Sequence, residues 1–302
     1  MAKRASGRRS SAFPVVVAPY LWLAAFFFVP VLIALRISLS QTAIAQPPYT
    51  PTFDFAAGWD GLREFLKALS FQNYASLAAD TLYTASYLKS LQVAAISTAI
   101  LLLIGYPIAY AISRLSTRLQ AIFVMLVILP FWTSFLIRVF AWITLLQHDG
   151  LVNRILMATG IVGEPVAWLA TDTAVYIGIV YSYLPFMVLP LYVTLQKLDP
   201  SLLEAAADLG ARRIKAFFMV TLPLSLPGIA AGVLLCFIPI VGEFVIPDLL
   251  GSSQTMMIGQ TLWTEFFSNK DWPVASAIAI VLLCLLVVPI ALFERLYIAR
   301  ER

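Results

Sequence analysis

The chain has 302 residues, of which 61% are hydrophobic and 12% charged, with a formal net charge of +4 and a mean hydropathy of +0.89. Soluble domains carry roughly a quarter of their residues as charged side chains, so this composition excludes a water-soluble globular protein and fits an integral membrane protein. The pI of about 9.1 does not mark a nucleic-acid binder, because the basic residues are spread over several short loops without a basic, aromatic-interleaved patch.

Lys3, Arg4, Arg8 and Arg9 precede the first apolar run. That run is longer than the roughly 7–15 residues of a signal-peptide core and has no small-x-small site at its end, which predicts an uncleaved first span. Six stretches approach the roughly 20 residues needed to cross about 30 Å of hydrocarbon: 15–35, 91–112, 121–146, 174–195, 228–246 and 274–293. The expectation is an all-α protein with six transmembrane helices. Arg114 and Arg118 lie between spans two and three; Lys197, Arg212, Arg213 and Lys215 between four and five; Arg295, Arg300 and Arg302 after six. By the positive-inside rule, these loops and both termini (1–14 and 294–302) are cytoplasmic.

The longest polar segment, from Ser40 to Tyr87, is then external, and its stretch Gly61 to Leu69 has apolar residues suited to a surface helix. Spans two and three carry Gly105, Pro107 and Pro130, which permit bending and close approach. Arg138 follows within span three, where a charge at depth needs a partner or water. His148, the chain's single histidine, reads as a surface residue, and no metal-ligand spacing occurs. Cys236 and Cys284 fall inside spans and read as small apolar packing residues.

Span four holds Tyr181, Tyr183, Pro185 and Pro190; span five ends in Val241-Gly-Glu-Phe-Val-Ile-Pro-Asp248. For these tyrosines, internal packing and a translocation lining both stand. For Glu243, near the outer end of its span, a structural ion pair with Arg138 and a place on a cation's path both stand. Phe244 and the tyrosines would offer aromatic faces to an ammonium. Asp248, Glu265 and Asp271 are external acids that would draw a cation in, or solvated loop charges.

Between spans four and five, 196–223 forms the longest polar interruption of the second half. Asp199 can cap a helix that Gly210 ends in the left-handed conformation, and a second helix is expected from Ala211 to Leu222. Glu204-Ala-Ala, three residues, Gly210, nine residues, Val220, one residue, and Leu222-Pro223 together resemble the EAA loop of ABC-importer permeases; Val220 stands where Ile is usual. Further stretches, Phe131-Trp132 through Arg138, Tyr183 through Pro190, Gly242 through Gly251 and Asp271 through Ser276, are similar to putrescine/spermidine permease subunits of the type I class.

The resemblance implies a type I permease fold in the bacterial inner membrane. It also implies ATPase coupling through Glu204, Ala205, Ala206, Gly210, Leu222 and Pro223. The implied partners are a second homologous permease, two ATPase subunits and a periplasmic substrate-binding protein. The candidate path residues are Trp132, Arg138, Tyr181, Tyr183, Glu243, Phe244 and Asp248. The chain contains no phosphate-loop motif, so no cofactor is expected on it, and ATP with Mg falls to the partners. Sister permeases for ferric iron, sulfate or amino acids share this architecture. A self-sufficient secondary transporter would fit the broken spans but not the Glu204 loop. No nucleophile-base pair supports an intramembrane enzyme.

Overall fold

The computed structural model describes residues 13–52, 63 and 65–301. Within them, five helices are long and apolar enough to cross a membrane: Pro19–Ser38, Thr81–Ser113, Phe135–Ala158, Asp172–Gln196 and Trp272–Ala291. A sixth arises if Arg213–Leu224 and Leu226–Val241, bent by 63° at Ser225, count as one span, while Thr117–Trp132 is shorter. The basic N-terminal cluster and positions 61, 62 and 64 of the expected 61–69 surface helix lie outside the described residues; 63 and 65–68 are helical.

The chain resolves into two units, one of 1–81 with 262–284 and one of 82–261 with 285–302. In the first, the apolar helices Phe13–Leu23 and Val29–Ser38 are joined by a π-helical turn, Ala24–Phe28. A short antiparallel hairpin, Gln41–Thr42 with Tyr49–Thr50, follows. The Phe71-Gln-Asn-Tyr74 phrase anchors the end of the first span. Asn73 donates to the carbonyls of Ser38 and Ser40, each at 2.8 Å, and the Tyr74 and Ser38 hydroxyls are 2.6 Å apart. Asp271 accepts from Thr42 and caps the last helix through the Val274 N–H.

The second unit is built on Asp172–Gln196, which packs along Leu226–Val241. Small residues make that approach possible. Met187, fully buried, fills a slot between Gly105 and Gly232, where an added Cβ would come within 2.9 and 2.8 Å of its side chain. Without a hydrophobic force between helices in lipid, such close contact supplies the attraction. Polar groups tie the helix ends. Gln120 donates to the carbonyls of Ser113 and Leu115 and accepts from Tyr192 and Gln196. Lys89 pairs with Asp172 at 2.6 Å, and Asp172 also accepts from Thr255.

Two expected spans are interrupted. The 121–146 stretch is divided into Thr117–Ile128, a 3-10 turn Leu129–Trp132 and Phe135–Leu146, with Thr133 and Ser134 extended. Pro130 cannot donate within a helix, and the Thr133 hydroxyl bonds back to the Pro130 carbonyl at 2.8 Å, which stabilises the break. The 228–246 stretch is helical only to Val241; Gly242, Glu243 and Phe244 leave the helix before Val245–Leu250 begins. Of the two cysteines, Cys236 is buried as expected, whereas Cys284 is exposed on the last helix.

Candidate functional site

The two breaks frame one cavity. Its volume is about 630 Å³, and its walls include Phe131, Phe135, Arg138, Tyr183, Phe186 and Glu243. Non-helical backbone at membrane depth persists where it is buried in protein or lines a cavity, because its free polar groups then find partners. Glu243 supplies such partners: its Oε1 accepts the N–H groups of Val245 at 3.1 Å and Ile246 at 3.5 Å, capping the short helix that resumes the chain. Its Oε2 accepts the Tyr183 hydroxyl at 2.7 Å. The residue is 9% exposed, a carboxylate held inside an aromatic wall.

Arg138 enters the cavity one turn after the first break. Its guanidinium carbon lies 4.9 Å from the Phe131 ring centre and 5.7 Å from that of Phe135. Among the described residues Arg138 forms no ion pair with Glu243. Ion pairs are found instead between Lys89 and Asp172 and in the exposed His148–Asp149 contact. The ion-pair reading of these two residues is therefore replaced by two separate environments: the carboxylate faces the Tyr183 hydroxyl and the helix-end amides, and the guanidinium faces the rings of Phe131 and Phe135.

Arg138, Tyr183 and Glu243 are thus brought together, and the other candidate path residues are not. Trp132 is 70% exposed. Tyr181 lines a different cavity of about 590 Å³ with Pro130 and Pro185, and meets Trp142 edge-on at 5.4 Å. Phe244 follows Glu243 in the break without lining the cavity. Asp248 is exposed beyond it, with Gln260 donating at 3.4 Å. Of the acids expected to draw in a cation, Glu265 is instead buried and accepts from Asn269 at 2.9 Å, and Asp271 serves as a helix cap.

At the polar loop, Ser201–Asp208 is helical and Gly210 adopts φ +78°. The Gly210 N–H reaches the Ala207 carbonyl at 2.8 Å and the Ala211 N–H the Ala206 carbonyl at 2.9 Å, a closed helix end that requires the left-handed residue. The Asp199 carboxylate accepts the Ser201 N–H at 2.9 Å, which holds its pKa below the ordinary aspartate value. The second helix starts at Arg213 rather than Ala211, and Phe217–Thr221 is π-helical. Leu209 and Ile214 are 89% and 75% exposed on this tip, an apolar surface where a soluble loop would be polar.

Three residues organise the unit without having stood out in the sequence. Phe217 meets Tyr106 and Tyr110 edge-on, at 5.6 and 6.0 Å, and so joins the loop to Thr81–Ser113. The Tyr106 hydroxyl is 2.9 Å from that of Ser225, at the 63° bend. Asn153, fully buried, donates to the carbonyls of Gln147, His148 and Val166, and accepts from Val166 N–H and the Trp168 indole. An asparagine inside an apolar segment was the available signal for the last; the aromatic contacts had none.

Residues 92–293 match the family described as binding-protein-dependent transport system inner membrane component, and the chain belongs to that family: it is a multi-pass component of an inner-membrane transport system. It is 38% identical over 274 residues to the spermidine/putrescine transport system permease protein PotB of Haemophilus influenzae, covering 91% of this chain and 90% of the relative. It is 40% identical over 213 residues to PotB of Escherichia coli K12, covering 70% and 77%. The fold is similar to that of a chain in the crystal structure of a bacterial alginate ABC transporter in complex with an alginate pentasaccharide-bound periplasmic protein. That match has a TM-score of 0.69 and 18% identity, and covers 94% of this chain and 92% of the other.

Proposed function

We propose that this chain is the transmembrane subunit of an ATP-driven importer that carries a polyamine, putrescine or spermidine, into the cytoplasm. The observation that carries the substrate class is Glu243, a buried carboxylate set among Tyr183, Phe131, Phe135 and Phe186 in one cavity. A carboxylate facing an ammonium at about 4 Å contributes roughly 4 kcal/mol at an effective dielectric of 20 before desolvation. Aromatic faces add about 0.5–2 kcal/mol each. The names of the relatives support the same class.

The chain works beside a second homologous permease, two ATPase subunits that hold ATP and Mg, and a periplasmic substrate-binding protein. Its termini and the Glu204 loop face the cytoplasm. The ATPase docks on the loop, with Leu209 and Ile214 as the apolar contact; Glu204, Ala205, Ala206 and Gly210 shape the first helix and its turn, and Leu222 and Pro223 begin the return to the membrane. Movement of the loop passes through Phe217 to Thr81–Ser113, and the bend at Ser225 lets the following helix reorient around the cavity. The test is uptake by vesicles carrying the whole complex, offered polyamines, amino acids, sulfate and ferric iron in turn. Saturable uptake of putrescine or spermidine alone is the expected result; uptake of one of the other solutes in their place would reassign the substrate.

A further inference from the structure

Resting on the polyamine reading of the cavity, we propose that Arg138 is a specificity-determining residue: a fixed positive charge that lets one ammonium group settle at Glu243 and turns a second away from the Phe131 side. Among the described residues lining the cavity, Arg138 and Glu243 carry the charges, and they form no ion pair with each other. A guanidinium stays protonated at any physiological pH, so burial to 8% exposure does not discharge Arg138. The rings of Phe131 and Phe135, centred 4.9 and 5.7 Å from its guanidinium carbon, ease the charge without cancelling it. This chain's share of the cavity is therefore neutral in sum but polarised, negative beside Tyr183 and positive beside Phe131.

An apolar strip joins the two poles. Phe131 meets Phe186 edge-on at 5.2 Å, Phe186 meets Tyr183 at 5.9 Å, and the Tyr183 hydroxyl reaches Glu243. Phe131 and Phe186 are 37% and 39% exposed, which leaves ring surface for a methylene chain. A solute held at Glu243 by one ammonium and laid along these rings brings its far end towards Arg138. If that end is a second ammonium, like charges approach where little water screens them, and the chain has to turn its far end out of the cavity. A monoamine of the same length meets no such repulsion.

The arrangement bears on release as well as on choice of solute. Without Arg138, each added ammonium would tighten the hold of the carboxylate's field on the solute, and a carrier must let its solute go. The fixed guanidinium levels the affinity across solutes of different charge and keeps release fast.

The test is equilibrium binding of n-butylamine and putrescine, which share a four-carbon chain and differ by one ammonium, to the full complex without ATP or binding protein. Spermidine supplies a third charge. In the unaltered complex putrescine should bind no tighter than butylamine, to within about threefold, and in R138Q it should gain roughly tenfold or more over butylamine. With solute-loaded binding protein and ATP, R138Q should lower KM and the maximal uptake rate together, because release slows. R138K keeps the charge and should restore both the binding ratio and the rate. An unchanged ratio in R138Q would overturn the proposal, as would R138K behaving like R138Q. Putrescine binding roughly tenfold or more tighter than butylamine in the unaltered complex would overturn it without any variant. If the unaltered complex neither binds nor takes up any polyamine, it is the polyamine reading that fails.

Discussion

The Tyr183 hydroxyl donates to Glu243 Oε2 at 2.7 Å, linking a helix that runs unbroken through Pro185 and Pro190 to the break in the next span. This bond fixes the orientation of the one carboxylate in the cavity, since the Val245 and Ile246 amides hold only its other oxygen.

Y183F removes that donor while keeping the ring. A hydrogen bond to a charged group is worth about 1.5–3 kcal/mol, so the complex should remain assembled while uptake falls by roughly tenfold or more. E243Q keeps the shape and loses the charge; polyamine transport should drop to near background with basal ATPase activity retained. If E243Q transports normally, the carboxylate is a helix cap and nothing more. Radiolabelled uptake beside detergent-solubilised yield distinguishes the two.

Gly210 holds φ +78° at the loop turn. An added Cβ meets no neighbour within 4 Å, so the penalty of G210V is conformational: a β-branched residue in that region costs about 1–3 kcal/mol. Transport should fall sharply and ATP hydrolysis should lose its response to solute-loaded binding protein, while solute capture by that protein is unchanged. E204K should act in the same direction. Normal uptake by either variant at normal expression would mean that the loop does not couple.

Phe217 makes edge contacts with both Tyr106 and Tyr110. Such pairs contribute about 0.5–1.5 kcal/mol each. F217A should leave docking of the ATPase intact yet lower the number of solutes moved per ATP, measured as the ratio of uptake to phosphate release. An unchanged ratio would place the transmission elsewhere.

Much of this was legible in the sequence where the information is local. The Glu204 to Gly210 turn depends on a few consecutive residues and on one glycine's freedom at positive φ, so its spacing alone announced it. Membrane spans are set by hydropathy and length, which single sequences carry well. The breaks were half legible: Pro130, Gly242 and Pro247 marked the places, but the division at Thr133 depends on a hydroxyl returning to the Pro130 carbonyl. Long-range pairings were not legible at all. Glu243 lies 60 positions from Tyr183, and nothing in the spacing distinguishes that bond from the Arg138 ion pair that it displaces. Glu265 read as an external charge because it falls between the expected spans 228–246 and 274–293, whereas the π-helical turn around it folds it inward onto Asn269.

The predicted orientation can be checked by single-cysteine labelling in a background lacking Cys236 and Cys284. Positions 46 and 163 should react with an impermeant reagent from outside, and positions 118 and 215 from inside alone. Labelling of position 215 from the periplasmic side would remove the Glu204 loop from the reach of any cytoplasmic ATPase.

In the proposed function, ATP hydrolysis by a partner drives a polyamine through the cavity that holds Glu243. Its most direct test is labelled spermidine or putrescine uptake into vesicles carrying the full complex and solute-loaded binding protein, with ATP sealed inside or replaced by an imposed ion gradient. Uptake is expected with ATP, none with the gradient alone, and loss of uptake in G210V despite intact solute capture. Uptake driven by the gradient without ATP, or ATP-dependent uptake that G210V leaves untouched, would contradict it.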